Sequence, residues 1–197
     1  MKVVVAIDSL KGSLSSIEAG MAIKEGILKA CEAEVIVKPL ADGGEGTVDA
    51  LLFGMGGAKI QTEVTGPLGE KITASYGILD DKKTAVIEIA EAAGIKLVPK
   101  SRLNPLYTTT YGVGEMIKDA ILRGCRNFIV GIGGSATNDG GIGMLTALGI
   151  EFFDAKGNAV KPIGNDLIKI TDLSTKNALK ELSECSFRIA CDVNNPL

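Results

Sequence analysis

Four short stretches of this chain gather residues whose types and spacing could do chemistry. An apolar run at 128–131 enters Gly131-Ile-Gly-Gly-Ser-Ala-Thr-Asn-Asp-Gly-Gly141. There Ser135, Thr137, Asn138 and Asp139 offer two hydroxyls, an amide and a carboxylate. Such a cluster can hold a phosphate, a metal ion or a polyhydroxyl substrate. Glycines at 131, 133 and 134 remove the Cβ atoms that would block a ligand's approach to the backbone. Asp8-Ser9-Leu-Lys11-Gly-Ser13 sets a cation and two hydroxyls ahead of a predicted helix. A helix N-terminus already favours anions, so Lys11 reads as a binder of phosphate or carboxylate. Asp42-Gly-Gly-Glu45 puts two carboxylates in a loop, suited to magnesium or to substrate hydroxyls. Asp192, at the end of a predicted strand, is a candidate general base or metal ligand.

The absence of histidine narrows the chemistry further. It excludes Ser-His-Asp and Cys-His catalysis, which leaves Ser9 and Ser13 without an activating base. The four cysteines, at 31, 125, 185 and 191, form no C-x-x-C pair, so a zinc site is not expected and reduced thiols are. Acidic loops, small polar donors and one lysine suit phosphoryl transfer, which is mostly positioning and charge neutralisation. Two other readings stand beside it. Gly131-x-Gly133-x-x-Ala136, with Asp154 downstream, superficially fits a dinucleotide fingerprint and hence an oxidoreductase. That match is weak, because Thr-Asn-Asp-Gly-Gly is poor material for the helix it requires. The other reading is a non-catalytic ligand-binding or interaction module. A Walker A loop is excluded, since no G-K-[ST] occurs.

The chain has 197 residues, 46% hydrophobic and 23% charged, enough to bury a real core in one domain or two small ones. Its formal charge of -3 argues against nucleic acid or an anionic membrane as the main partner. The apolar start is short and Asp8 interrupts it, so neither a signal peptide nor a membrane span is expected and cytoplasm is the default.

The elements that must position these stretches follow from periodicity. Residues 2–7 are a β-branched run, expected as a parallel strand covered on both faces. Ser15 with Glu18 fits a capping box, and Ile17, Met21, Ile23, Ile27 and Leu28 supply the expected apolar helix face. A second strand at 35–37 and a short helix at 48–53 repeat the pattern, which suggests an open α/β sheet with ligands beyond the carboxyl ends of its strands. Residues 59–65, 72–79 and 84–90 then read as an antiparallel meander, with a domain boundary near residue 58. Val113, Met116, Ile117, Ala120 and Ile121 mark one helix face, and Thr108–Thr110 ahead of them read as helix-capping. Strands are expected at 150–153 and 187–191. Residues 92–99 and 160–186 give no clear pattern.

Taken together, the motifs are more specific than any one alone. Asp8-Ser-Leu-Lys-Gly-Ser13, Ala41-Asp-Gly-Gly-Glu-Gly-Thr47, Asn104-Pro105 with Thr108-Thr-Thr-Tyr-Gly-Val-Gly-Glu115, the 131–141 loop and Ala190-Cys-Asp-Val-Asn-Asn-Pro-Leu197 occur in one order. The chain resembles the bacterial glycerate kinases of the type-1 family from residue 2 to its last residue. The resemblance implies magnesium-dependent transfer of the ATP γ-phosphoryl group to D-glycerate, giving 2-phosphoglycerate. It also implies two α/β domains, a flavodoxin-like domain begun by residues 1–58 and an inserted mixed domain, 59–197, similar to a restriction-endonuclease-like fold. Leu10 and Ile163 depart from the family's usual residues, away from the proposed chemistry. The main departure is length, since family members run to nearly twice this size. The chain is therefore expected to be an N-terminal half, completed by a C-terminal half-chain or an oligomer partner. On this reading Asp192, Lys11 and Asp139 are the catalytic candidates. Asp8, Ser9, Ser13, Gly133, Gly134, Ser135, Thr137 and Asn138 bind substrate or nucleotide, and Asp42 and Glu45 hold the metal.

Overall fold

In a computed structural model, residues 1–192 are described. Strand β1 (Lys2–Ile7) pairs in parallel with β2 (Glu34–Pro39), and helix α1 (Ser16–Ala30) connects them. The capping box forms as expected: the Ser15 hydroxyl accepts from the Glu18 amide, and the Glu18 carboxylate accepts from the Ser15 amide at 2.8 Å.

Two expectations for this unit need correction. Among the described residues the sheet has two strands, and Val3, Val5, Val35 and Val37 pack on the α1 side while Val4, on the opposite face, is 59% exposed. β1 is therefore not covered on both faces. The packing face of α1 is also only partly its apolar stripe, from which Ile27 reaches the β1–β2 core. Ser16, Ala19 and Gly20 are the buried positions, and Met21, Ile23 and Leu28 are exposed. Small residues win this contact because Gly20 lies directly against Val37, where a Cβ would collide.

The larger body is a mixed five-stranded sheet in the order β3 (Gly57–Thr65), β4 (Lys71–Leu79), β5 (Thr84–Glu88), β6 (Asn127–Gly131) and β9 (Ser186–Ala190). The first three strands form the expected antiparallel meander, while β5, β6 and β9 run parallel to one another. Alternation along β4 and β5 divides the core. Ala74, Tyr76, Ala85 and Ile87 face α4 (Tyr111–Leu122), whose Val113, Met116, Ile117, Ala120 and Ile121 are all buried as expected. Leu79 and Val86 point the other way, onto Val48 of α2 (Thr47–Met55). The helix just before residue 58 thus packs on the sheet that follows it. Tyr76 carries its hydroxyl through this core to donate to the Asp119 carboxylate on α4, 2.7 Å away.

The strand expected to reach residue 90 ends at Glu88, and α3 (Ala90–Ala93) and a 3-10 turn fill the ambiguous stretch behind it. Helix α5 (Ile142–Ala147) lies against α4, and the expected strand β7 (Glu151–Phe153) pairs antiparallel with β8 (Asp172–Ser174), which lies in the stretch that gave no pattern.

Glycine positions provide a signed test of this packing. A Cβ on Gly112, in α4, would strike the Thr65 carbonyl oxygen, which is backbone and cannot swing away, whereas Gly26 in α1 faces open space. Gly112→Ala should lose about 1–3 kcal/mol to overpacking. Gly26→Ala should gain about 0.5–1 kcal/mol from reduced unfolded-chain freedom. Urea unfolding of both variants checks the pair, and equal effects of one sign would contradict the packing described.

Candidate active site

The carboxyl ends of all five parallel-paired strands open onto one cleft of about 1160 Å³. Residues 9–16 follow β1, residues 42–49 follow β2, Glu88 ends β5, residues 132–135 follow β6, Ala190 ends β9 and residues 191–192 follow it. Members of every one of these groups line the cleft. In parallel sheets ligands collect at such ends, because the loops there are free to diverge while the strands fix their origins.

Most of the residues singled out in the sequence come together here. Ser9, Lys11, Ser13, Asp42, Glu45, Gly133, Gly134, Ser135 and Asp192 all line the cleft. Lys11 Nζ lies 3.9 Å from Asp42 Oδ2, and the other oxygen of Asp42 accepts from the Gly44 amide at 2.9 Å. Glu45 pairs with Lys96, and Asp49 with Lys59 at 2.9 Å. Each lysine lining the cleft thus has a carboxylate partner, mostly at the solvent boundary where such pairs exchange at little cost. An incoming anion can take over the lysines and leave the carboxylates to a cation.

Asp8, Thr137, Asn138 and Asp139 fall outside the lining. Asp8 accepts from its neighbour's amide, Ser9, at 2.6 Å and shapes its own loop. Thr137 shares a 2.8 Å hydrogen bond with Ser135. Asp139, expected in the cleft, is instead 1% exposed and lies between two helix starts. Its Oδ2 accepts from the Thr110 amide and hydroxyl, both at 2.8 Å, and from the Gly143 amide at 3.2 Å, while Oδ1 accepts from Gly141 at 2.9 Å. A carboxylate so fully occupied suits holding the loop in place. Thr110, expected as a cap of α4, makes no side-chain cap there; its hydroxyl accepts from Met144 in α5 instead.

The glycines also differ from expectation. A Cβ on Gly131 would strike the Gly43 carbonyl, one on Gly133 would lie 2.7 Å from Gly44 Cα, and one on Gly43 would strike the Ala190 carbonyl. What approaches these glycines is the backbone of the 42–46 loop, fastened by a Gly133 N–H to Gly43 oxygen bond of 3.1 Å. The dinucleotide reading fails on the same geometry. Helix α5 begins only at Ile142, well past the glycines, and Gly133 is filled by protein.

Sequence reasoning missed Glu88, Glu91, Asp49, Lys59 and Lys96, all of which line the cleft. Glu88 had left a signal: it is a carboxylate ending an otherwise apolar strand, Thr-Ala-Val-Ile-Glu88. It is buried, and burial pushes its carboxyl above the ordinary range against the pull of the Val48 and Gly46 amides. Among the described residues no group of three or more His, Cys, Asp or Glu side chains stands ready to hold a metal.

Removing Asp139 should be costly wherever the protein is assayed. Asp139→Ala strands the buried amides of Thr110 and Gly143, each worth about 1–3 kcal/mol when left unpaired, and the half-buried amide of Gly141. Asp139→Asn, which keeps one acceptor oxygen, should lose less. A loss below about 1 kcal/mol for the alanine variant in urea unfolding would mean that the carboxylate does not hold the two helix starts.

Residues 3–197 match the family model described as the glycerate kinase family. The chain is 48% identical over 198 aligned positions to "Glycerate 2-kinase" of Escherichia coli (strain K12), covering 100% of the chain and 52% of that protein. It is likewise 48% identical to "Glycerate kinase" of Bacillus cereus (strain ATCC 10987 / NRS 248), again covering 52% of the relative. A crystal structure from Salmonella typhimurium LT2, assigned by its name to glycerate kinase 2, superposes with a TM-score of 0.91 at 45% identity, over 100% of this chain and 53% of that one. The chain spans about half the length of the curated relatives it matches. On the order of its motifs, its cleft and these matches, the chain belongs to the glycerate kinase family.

Proposed function

We propose that this chain forms one wall of a glycerate kinase active site, in which the γ-phosphoryl group of ATP passes to D-glycerate to give 2-phosphoglycerate. The observation that carries this reading is the convergence of five parallel strand ends on a single cleft lined by Lys11, Asp42, Glu45 and Asp192, in a chain of this family. Lys11, ahead of the α1 N-terminus, binds phosphate or the glycerate carboxylate, with Asp8, Ser9 and Ser13 shaping that loop. Gly133, Gly134 and Ser135 form the opposite wall, with Thr137, Asn138 and Asp139 supporting it.

Magnesium fits the donors by kind. It is held by one or two carboxylates together with phosphate oxygens and waters, so a preformed protein cage is not needed. Asp42 and Glu45 would hold it, released from Lys11 and Lys96 as the phosphates take those lysines. When bound, the ion neutralises charge on the transferring phosphoryl group. The Asp192 carboxylate accepts the proton of the glycerate hydroxyl as that oxygen bonds to the γ-phosphorus and ADP leaves.

In this reading residues 1–58 begin a flavodoxin-like domain and 59–197 form a mixed insert similar to a restriction-endonuclease-like fold. A C-terminal half-chain or a second copy completes the first domain. Two findings are compatible: β1 and β2 form a sheet of two strands, and the relatives are about twice as long. Cytoplasmic location belongs to the same proposal; among the described residues no helix is long and apolar enough to cross a membrane.

The test is an assay of ADP formation with ATP, magnesium and D-glycerate, for the chain alone and mixed with a C-terminal half. Turnover in the mixture is expected, and Asp192→Asn should lower it by about 10²–10⁴-fold. Near-native turnover of that variant removes Asp192 from the role of base. Ligand binding without turnover in any combination would favour a non-catalytic binding module.

A further inference from the structure

Helix α2 starts without a cap of its own. Its N-cap is Gly46, at φ +93°, which has no side chain to offer, and the Val48 amide lies in the first turn, where no intrahelical acceptor exists. The acceptor comes from another part of the fold. Glu88, at the end of β5, takes the Val48 amide at 2.8 Å, and the Gly46 amide also bears on its carboxylate. A negative group at a helix start is favoured by the free amides and the dipole, which offsets part of the cost of burying Glu88.

This contact ends one side of the 42–46 loop. The other side is fastened where Gly43 accepts from Gly133 and lies against Ala190. Asp42 and Glu45 therefore sit on a loop held at two points to the five-stranded sheet, one of them the Glu88 carboxylate. Glu88 itself faces the cleft among Asp49, Glu91 and Lys59, so its loss would also leave a void at the cleft wall.

We propose that Glu88 is a positioning residue: by capping α2 from β5 it sets where the Asp42 and Glu45 carboxylates stand in the cleft. This rests on the kinase reading for its consequence, though not for its geometry. What the carboxylate supplies is an acceptor oxygen, so Glu88→Gln should substitute for it and Glu88→Ala should not.

Two readouts separate the alternatives. Amide hydrogen exchange on the full 197-residue chain reports the anchor directly. Val48 should exchange about tenfold faster or more in Glu88→Ala, as loss of a charge-assisted hydrogen bond implies, and near the native rate in Glu88→Gln. In the assembly that carries turnover, Glu88→Ala should raise the magnesium concentration needed for half-maximal rate and cut kcat/KM by about 100-fold, the scale of a small misplacement of reacting groups. Glu88→Gln should restore both. Should the alanine variant fail to fold, Glu88→Asp, one methylene shorter, takes its place with an intermediate loss expected in both readouts.

Native Val48 protection in the alanine or aspartate variant overturns the proposal. So does a glutamine variant as inactive as the alanine one with Val48 protected, since Glu88 would then act on substrate through its charge. If no combination of chains shows glycerate phosphorylation, the kinase reading fails by itself, and the exchange data still decide whether Glu88 holds the loop.

Discussion

The cleft depends on a place where two loops touch through bare backbone. The 42–46 loop crosses the carboxyl ends of β6 and β9 so closely that Gly43, Gly131 and Gly133 have no room for a Cβ. Close packing of this kind fixes the separation of two strand systems that share no ladder hydrogen bonds, the β1–β2 pair and the five-stranded sheet. Without it, Lys11 and Asp42 on one side and Ser135 and Asp192 on the other would belong to separate surfaces. Glycine is required here for contact within the protein, and the ligand-facing surface is supplied by the side chains around it.

Two buried carboxylates stabilise the same junction from behind. Asp139 ties the starts of α4 and α5 to the loop after β6, and Glu88 ties the start of α2 to the end of β5. Both use an acidic group where several backbone amides would otherwise lack acceptors. Each exchanges the cost of burying a charge for the satisfaction of groups that are more costly to leave bare. The exposed acids differ in kind. Asp42, Glu45 and Asp49 stand against lysines at the solvent boundary, where partners can be exchanged. On the proposed reading, in which the cleft takes a triphosphate and a cation, the second group has to exchange partners while the first stays fixed.

Much of this was legible in the residues themselves. Continuous β-branched runs located β1 and β2, strand runs between turns located the β3–β5 meander, a helical apolar face located α4, and Ser15 with Glu18 marked the start of α1. Patterns failed where burial was decided by what happened to be available to cover a face. Met21, Ile23 and Leu28 of α1 are exposed while its small residues pack closely on β2, and Val4 is exposed on the face of the β1–β2 pair away from α1. The motif at 190–197 is seen only in its first residues, since 193–197 lie outside the described residues.

The sequence by itself determined the chemical inventory and the family. In a chain without histidine, with acidic and glycine-rich loops in one order, acid–base work falls to carboxylates, lysine or tyrosine, and local spacing is enough to read that. Only the tertiary structure decided which acid does what. Asp139 and Asp42 look alike in a sequence, as polar residues beside glycines, but one is sealed between helix starts and the other faces a cleft. Glu88 is forty residues from Val48, the helix start it caps. Burial and long-range hydrogen bonding depend on which strands become neighbours, and that pairing is a property of the whole fold rather than of any local run of residues.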